Sequence, residues 1–200
     1  MPYLDPSEYE AYGLSAETPG DLVQLASALI DAHCRRPTLL VQQYTERARL
    51  NAGSQSVRVS YLPLGTISGI RVRYGRGRRG EMQETMLTQA ALAFSLPGSW
   101  SALDPASVDV NQATGEVTFP ANLFGLPYNE VEITYTAGFS TVTAFVKTAC
   151  AQIVRNAQAT PALNVKGSRM DTLQMQYFAG SLLDANVQML LRPLVAQRVG

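Results

Sequence analysis

The groups able to move protons, attack a substrate or hold a metal are few in this chain and far apart. There is one histidine, His33, and there are two cysteines, Cys34 and Cys150. A serine–histidine–acid triad would have to recruit His33. No G-x-S-x-G turn is present to present the nucleophile. One histidine and two distant cysteines do not make a zinc set. The carboxylates are scattered, as in Glu81 with Glu84, Asp104 with Asp109, and Glu130 with Glu132. The last pair falls two apart on one predicted strand, on the face opposite its apolar side. A solvated face accounts for it, because hydrolases that use two carboxylates hold them in a pocket. The reading is a protein that is not an enzyme and carries no metal or cofactor.

Positive charge is concentrated in one place. Arg71, Arg73, Arg76, Arg78 and Arg79 lie within nine residues, around the stretch Gly75–Gly80 (GRGRRG). The glycines give this stretch the look of a phosphate cradle, but the lysine–serine/threonine ending of a P-loop is missing. Arginine suits bidentate phosphate contact, so a nucleic-acid-binding module using Arg71–Arg79 is the second function to weigh. Across the whole chain, Lys+Arg 16 and Asp+Glu 16 cancel. Zero net charge argues against a protein whose main task is coating nucleic acid. It also leaves little repulsion between copies. Hydrophobic residues make up 46% of the chain, enough for a real core.

The start, MPYLDPSEYE, lacks a basic stretch followed by an apolar one, so no signal peptide is expected. No run approaches the roughly 20 apolar residues of a membrane span. Two cysteines within helical patterns read as buried thiols in a reducing compartment. The expectation is assembly in the cytoplasm and no membrane partner.

The elements that must position these residues follow from periodicity and end signals. Asp5, Pro6 and Glu8 form a capping pattern for a short helix over 6–12, and Gly13 is placed to end it. Thr18 and Pro19 then open a longer helix whose apolar face is Leu22, Leu25, Ala26, Leu29, Ile30 and His33. Pro37 stops it at Arg36.

The period then changes to two. Residues 41–50 alternate, with Tyr44, Glu46, Ala48 and Leu50 on one side. Ser56–Leu62, Ile70–Tyr74 and Glu130–Thr136 alternate as well, each as a strand with one buried face. Val108–Val110 and Glu116–Phe119 flank a turn in which Gly115 can take positive φ. The stretch 81–100 fits either helix or strand. A second long helix spans about 142–158, with a stripe that includes Phe145, Val146, Ala149, Ile153 and Val154. Met170–Phe178 alternates and reads as an extended arm. Ser181 is placed to cap a last helix that Pro193 ends near Arg192.

Helices, then antiparallel strands, then helices make an α+β fold. The organisation expected is a small helical bundle, 1–40 with 137–160, an inserted antiparallel β subdomain, 41–136, and an extended arm with a C-terminal helix, 161–200.

The order of these pieces resembles one family. PGDLVQLASALIDAHCRR after a short helix, SVRVSYLPLGTISGIRVRYG as strand–proline–strand, ASVDVNQATGEVTF as a hairpin, VEITYTAGF before a long helix, and SLLDANVQMLLRPL at the end are similar to the head-to-tail connector, or adaptor, proteins of long-tailed phages and gene transfer agents. The resemblance implies a virion protein of the neck, assembled into a homo-oligomeric ring, usually a dodecamer. Such a ring docks on the portal protein, meets a tail-side stopper or tail terminator, and leaves a passage for DNA. On this reading, neighbours and portal are met by Leu173, Met175 and Tyr177 of the arm and by Leu190, Leu191, Leu194 and Val195 of the last helix. Arg71, Arg73, Arg76, Arg78 and Arg79 face the DNA.

Overall fold

The computed structural model describes residues 2–50, 54–74, 99–120, 127–159, 167–170, 173–176 and 182–197. The fold is α+β, and the chain divides into two compact units. One comprises Met1–Leu39 with Phe139–Ala196, the other Leu40–Gly138 with Gln197–Gly200.

The first unit is helical. Asp5 accepts from the Ser7 amide at 3.0 Å and Glu8 accepts from the Asp5 amide at 3.4 Å, the reciprocal capping that the spacing predicts. What they cap is shorter than a 6–12 helix: two 3-10 turns, Pro6–Glu8 and Glu10–Tyr12, closed by Gly13 at φ 74°. Helix α1 is Gly20–Cys34. Thr18 does not cap it. The helix starts two residues later, behind Pro19, and Thr18 is buried instead.

The inward face of α1 is also turned from the predicted one. Val23, Ala26, Ser27, Ile30 and Cys34 are buried, whereas Leu25 is 42% exposed. Ser27 can occupy the core because its hydroxyl is fully used: it accepts from the Tyr3 amide at 2.9 Å and donates to the Val23 carbonyl at 2.7 Å. Arg35 ends the helix at φ 56°, the left-handed position that glycine usually fills. The Arg35 and Arg36 amides close on Ala32 and Asp31, both at 3.2 Å.

Helix α2, Ala144–Ala159, buries Val146, Ala149, Cys150, Ile153 and Val154 and packs against α1. Helix α3, Ala185–Leu191, packs against α2 and α1. Its cap is Asp184, which accepts from the Val187 amide at 2.8 Å and from the Asn156 side chain at 3.1 Å. The predicted cap, Ser181, lies outside the described residues. Pro193 breaks α3 as expected, into a 3-10 turn over Arg192–Leu194.

The second unit is built of strands. β1 (Gln42–Arg49), β3 (Leu64–Arg73), β4 (Ser101–Leu103) and β7 (Glu130–Ala137) form an antiparallel sheet in the order β1-β7-β3-β4. β2 (Ser56–Arg58), β5 (Asp109–Asn111) and β6 (Glu116–Thr118) form a second sheet in the order β2-β6-β5. The core between their inner faces includes Val57, Ile70, Val72, Val117, Val131 and Ile133.

The hairpin at Gly115 is present, with φ 70°. A Cβ added there would come within 2.6 Å of the Leu62 side chain, so space as well as conformation calls for glycine. Gly65 serves a different need. A Cβ would meet the Thr136 hydroxyl at 2.6 Å, where β3 runs close against β7 and its register shifts.

The strand predicted over 56–62 pairs only through Arg58. Beyond it the Val59 amide still donates to the Gly115 carbonyl at 2.9 Å, and the next two amides are taken by side chains. The Ser60 amide donates to Glu46 at 3.0 Å and the Tyr61 amide to the Tyr135 hydroxyl at 3.3 Å.

The predicted arm is extended but not solitary. β8 (Gly167–Met170) and β9 (Leu173–Gln176) pair with each other, from Gly167 opposite Gln176 to Met170 opposite Leu173.

Candidate functional site

The outer face of the larger sheet gathers charge from three strands. The register puts Glu132 of β7 opposite Arg47 of β1 and Arg71 of β3, and Glu130 opposite Arg49 and Arg73. Each carboxylate is thus flanked by two guanidinium groups. Arg73 Nε donates to Glu130 at 2.8 Å and Arg71 donates to Glu132 at 3.4 Å. Arg47 pairs with Glu132, and Arg49 lies 3.9 Å from Glu130. Trp100, the residue before β4, lies against the same face. The guanidinium carbons of Arg47, Arg71 and Arg73 are 5.4, 5.8 and 4.8 Å from its ring centre, within cation–π range.

This electrostatic setting decides what the carboxylates can do. The Arg47 guanidinium beside Glu132 holds its carboxyl below the usual range, with Arg71 adding to the effect. A carboxylate kept ionised in this way is a poor proton donor at neutral pH. The thiols are poor nucleophiles for the opposite reason. Cys34 and Cys150 are both fully buried, and burial pushes each up to about 11. His33 sits partly exposed near the end of α1. Among the described residues, no group of three or more histidine, cysteine or acidic side chains is placed to hold a metal ion. No helix among them is long and apolar enough to cross a membrane.

A buried polar cluster lies on the inner side of the same sheet. Tyr135 is wholly buried, and its hydroxyl donates to Glu46 at 3.0 Å while accepting from the Tyr61 amide. Burial and the neighbouring Glu46 charge both push the Tyr135 hydroxyl well above its ordinary value. Tyr44 and Tyr61 stack beside it with ring centres 4.0 Å apart. Glu46 and the Tyr135 hydroxyl each hold a backbone amide, so the cluster is a fastening of the fold.

The predicted contact residues separate. Leu191 and Leu194 are buried within the subunit, and Leu190 is exposed at 36%. Val195 is half-buried. Met189, next to Leu190, is 69% exposed. Two of the four apolar residues assigned to docking on the last helix are therefore occupied inside the subunit, and Met189 joins the outward side. Leu173 and Met175 belong to β9, while Tyr177 lies outside the described residues. Of the five arginines read as DNA-facing, Arg71 and Arg73 are in the ion-paired ladder; Arg76, Arg78 and Arg79 lie outside the described residues.

Sequence reasoning missed Arg47, Arg49 and Trp100. Their signal was present as the repeated patterns Arg47-x-Arg49, Arg71-x-Arg73 and Glu130-x-Glu132. Only strand register shows that the three patterns are neighbours.

No protein-family model matches the chain, and no curated protein does. Solved structures do. A chain in the "Neck of empty GTA particle computed with C6 symmetry" matches with a TM-score of 0.51 and 15% sequence identity, covering 98% of this chain and 91% of that one. The "Neck of native GTA particle computed with C12 symmetry" gives a TM-score of 0.50 at 15% identity, with the same coverage. A chain of the "Virion of native gene transfer agent (GTA) particle" gives 0.51, also at 15% identity and the same coverage. At this identity the likeness shows a shared fold, and it runs over nearly the whole of both chains.

Proposed function

We propose that this chain is a structural subunit of a particle neck, a ring-forming head-to-tail adaptor that docks on the portal and joins the capsid to the tail around a DNA passage. The observation that carries this reading is the likeness over 98% of the chain to chains of gene transfer agent necks, described with six-fold and twelve-fold symmetry. In this reading the protein performs no catalytic step. The ion-paired carboxylates and the buried thiols support that, since neither is poised for proton transfer or attack.

Portal docking falls to the outward side of α3, Met189 and Leu190, and the β8–β9 hairpin offers strand edges to a neighbouring copy. The tail side meets a stopper or terminator, and the working location is the virion neck. The nucleic-acid-module alternative finds Arg71 and Arg73 already sharing carboxylates, which lowers their attraction for phosphate.

The test is co-sedimentation with a portal ring, comparing the unaltered chain with Met189→Asp/Leu190→Asp. Substitution is preferable to removing 180–200, because Val187 and Leu191 belong to the core of the helical unit. The unaltered chain should sediment with the portal and the variant should remain in solution. Failure of the unaltered chain to bind either a portal or a tail component would overturn the reading.

A further inference from the structure

The outer face of the β1-β7-β3 sheet has a composition typical of protein–protein contacts. It carries the chain's single tryptophan and four arginines. Tryptophan and arginine are the residue types whose truncation most often costs binding at interfaces. The guanidinium groups are held in place by Trp100 and by the two glutamates. Even so, the Arg47 and Arg49 side chains stay 68% and 83% exposed. Four arginines against two glutamates leave an excess of positive charge.

The occupant follows from where that excess sits. A nucleic-acid backbone laid across this face would meet the glutamate row that runs between the two arginine rows. Separate carboxylates on a protein surface avoid that row and reach the outer guanidinium edges. The same sequence supplies such a surface. Residues 1–34 hold six acids and not one lysine or arginine. Glu8 is engaged by Lys147, and Asp31 accepts from the Tyr3 hydroxyl. Asp5, Glu10, Glu17 and Asp21 are exposed.

Resting on the reading of the chain as a ring subunit, we infer that the Arg47–Arg49–Arg71–Arg73 face with Trp100 is one side of the contact between copies, and that the acidic Asp5–Asp21 segment of the neighbouring copy is the other. The contact joins two different surfaces, the head-to-tail arrangement that yields a ring when its rotation closes. It also explains how a chain of zero net charge can recognise itself: the charge is segregated between surfaces.

Trp100 makes the test direct, because all indole emission comes from this face. Unaltered protein at low concentration, excited selectively at its indole, is titrated with Trp100→Phe copies, which lack indole emission but carry an intact acidic segment. The expected result is a saturating change in Trp100 emission that weakens with added salt. Added copies that also carry Glu10→Lys, Glu17→Lys and Asp21→Lys should bind at least about tenfold more weakly. Continued protection of Cys34 and Cys150 from thiol reagents verifies that these copies are folded. Arg49→Glu in the emitting copy should lose the response to the acidic segment and recover part of it with the lysine-bearing one.

A change in emission that ignores charge reversal overturns the inference. So does a change driven by duplex DNA and not by added copies. If emission does not respond while sedimentation of the same sample shows higher-mass species, the ring reading stands and this interface falls. If neither emission nor mass responds, with or without a portal ring, both fall.

Discussion

The two units use polar side chains in different ways. In the helical unit those at and near helix ends close nearby backbone, although Ser27 and Glu8 also reach distant partners, the Tyr3 amide and Lys147. Asp5 and Asp184 satisfy amides two and three residues ahead, and Ser27 donates to the carbonyl four residues behind. In the strand unit Asp104 and Asn111 close turns locally, but the side chains on the sheet have partners far apart in sequence. Glu46 holds the Ser60 amide and the Tyr135 hydroxyl, and Glu132 is shared by Arg47 and Arg71. The first kind of bond ends helices and leaves the apolar face to pack. The second defines which strands are neighbours and organises a charged outer surface. The arginine side of the proposed contact between copies lies in the strand unit, and its acidic side, with the outward residues of α3, in the helical unit.

Each unit carries its own probe, which makes the contrast testable. Both cysteines belong to the helical unit and the only tryptophan to the strand unit. The largest effects are expected in the cores. Ile153→Ala in α2 and Ile133→Ala in β7 remove side chains that are 1% and 2% exposed. Each should cost about 2–5 kcal/mol. In denaturant, Ile153→Ala should chiefly advance thiol exposure and Ile133→Ala chiefly the Trp100 transition. Equal displacement of both transitions by each variant would show one cooperative unit.

Next in size is the hairpin. Gly115→Ala sets a side chain at positive φ against Leu62 and should cost about 1–3 kcal/mol, read by the Trp100 midpoint. Ser27→Ala and Tyr135→Phe form a matched pair of similar or smaller size. The first strands the Tyr3 amide and the second strands the Tyr61 amide and removes one of the two donors to Glu46. Each should cost about 1–3 kcal/mol, the first in the thiol transition and the second in the Trp100 transition.

The smallest expected effect is at the α3 cap. Asp184→Ala should cost about 1 kcal/mol or less, since the group is partly exposed. The Val187 amide, and after it the Asn156 side chain, hold the Asp184 carboxyl below its ordinary value. A depressed folded value means that the contribution is present above the unfolded carboxylate range and is lost as pH falls through the folded value. The difference between the variant and the unaltered chain should therefore be full near neutrality and shrink at acid pH. A difference independent of pH would show that the ionised cap is not its source.

Local signals were legible in the sequence wherever cause and effect are a few residues apart. The Asp5–Glu8 capping, Gly13 and Gly115 at positive φ, the alternation of Val131, Ile133 and Tyr135, and the stop at Pro193 all appear where their chemistry places them. The reading failed where a distant partner decided the outcome. Leu25 looks like a core residue by spacing, yet Ser27 is buried in its stead because the Tyr3 amide needs an acceptor. Residues 60–61 alternate like a strand, yet Glu46 and Tyr135 take their amides.

Fold class, the order of the main elements, the turns and the scarcity of groups suited to chemistry can all be read from the residues alone. These depend on periodicity, caps and residue types, which act over one or two turns of chain. Tertiary structure alone decided which face of α1 points inward, that Leu191 and Leu194 are inside the subunit, and that three separate pairs of charged residues form one ladder under Trp100. Those outcomes depend on packing and strand register, and no residue carries information about its neighbour across a sheet until the strands are paired.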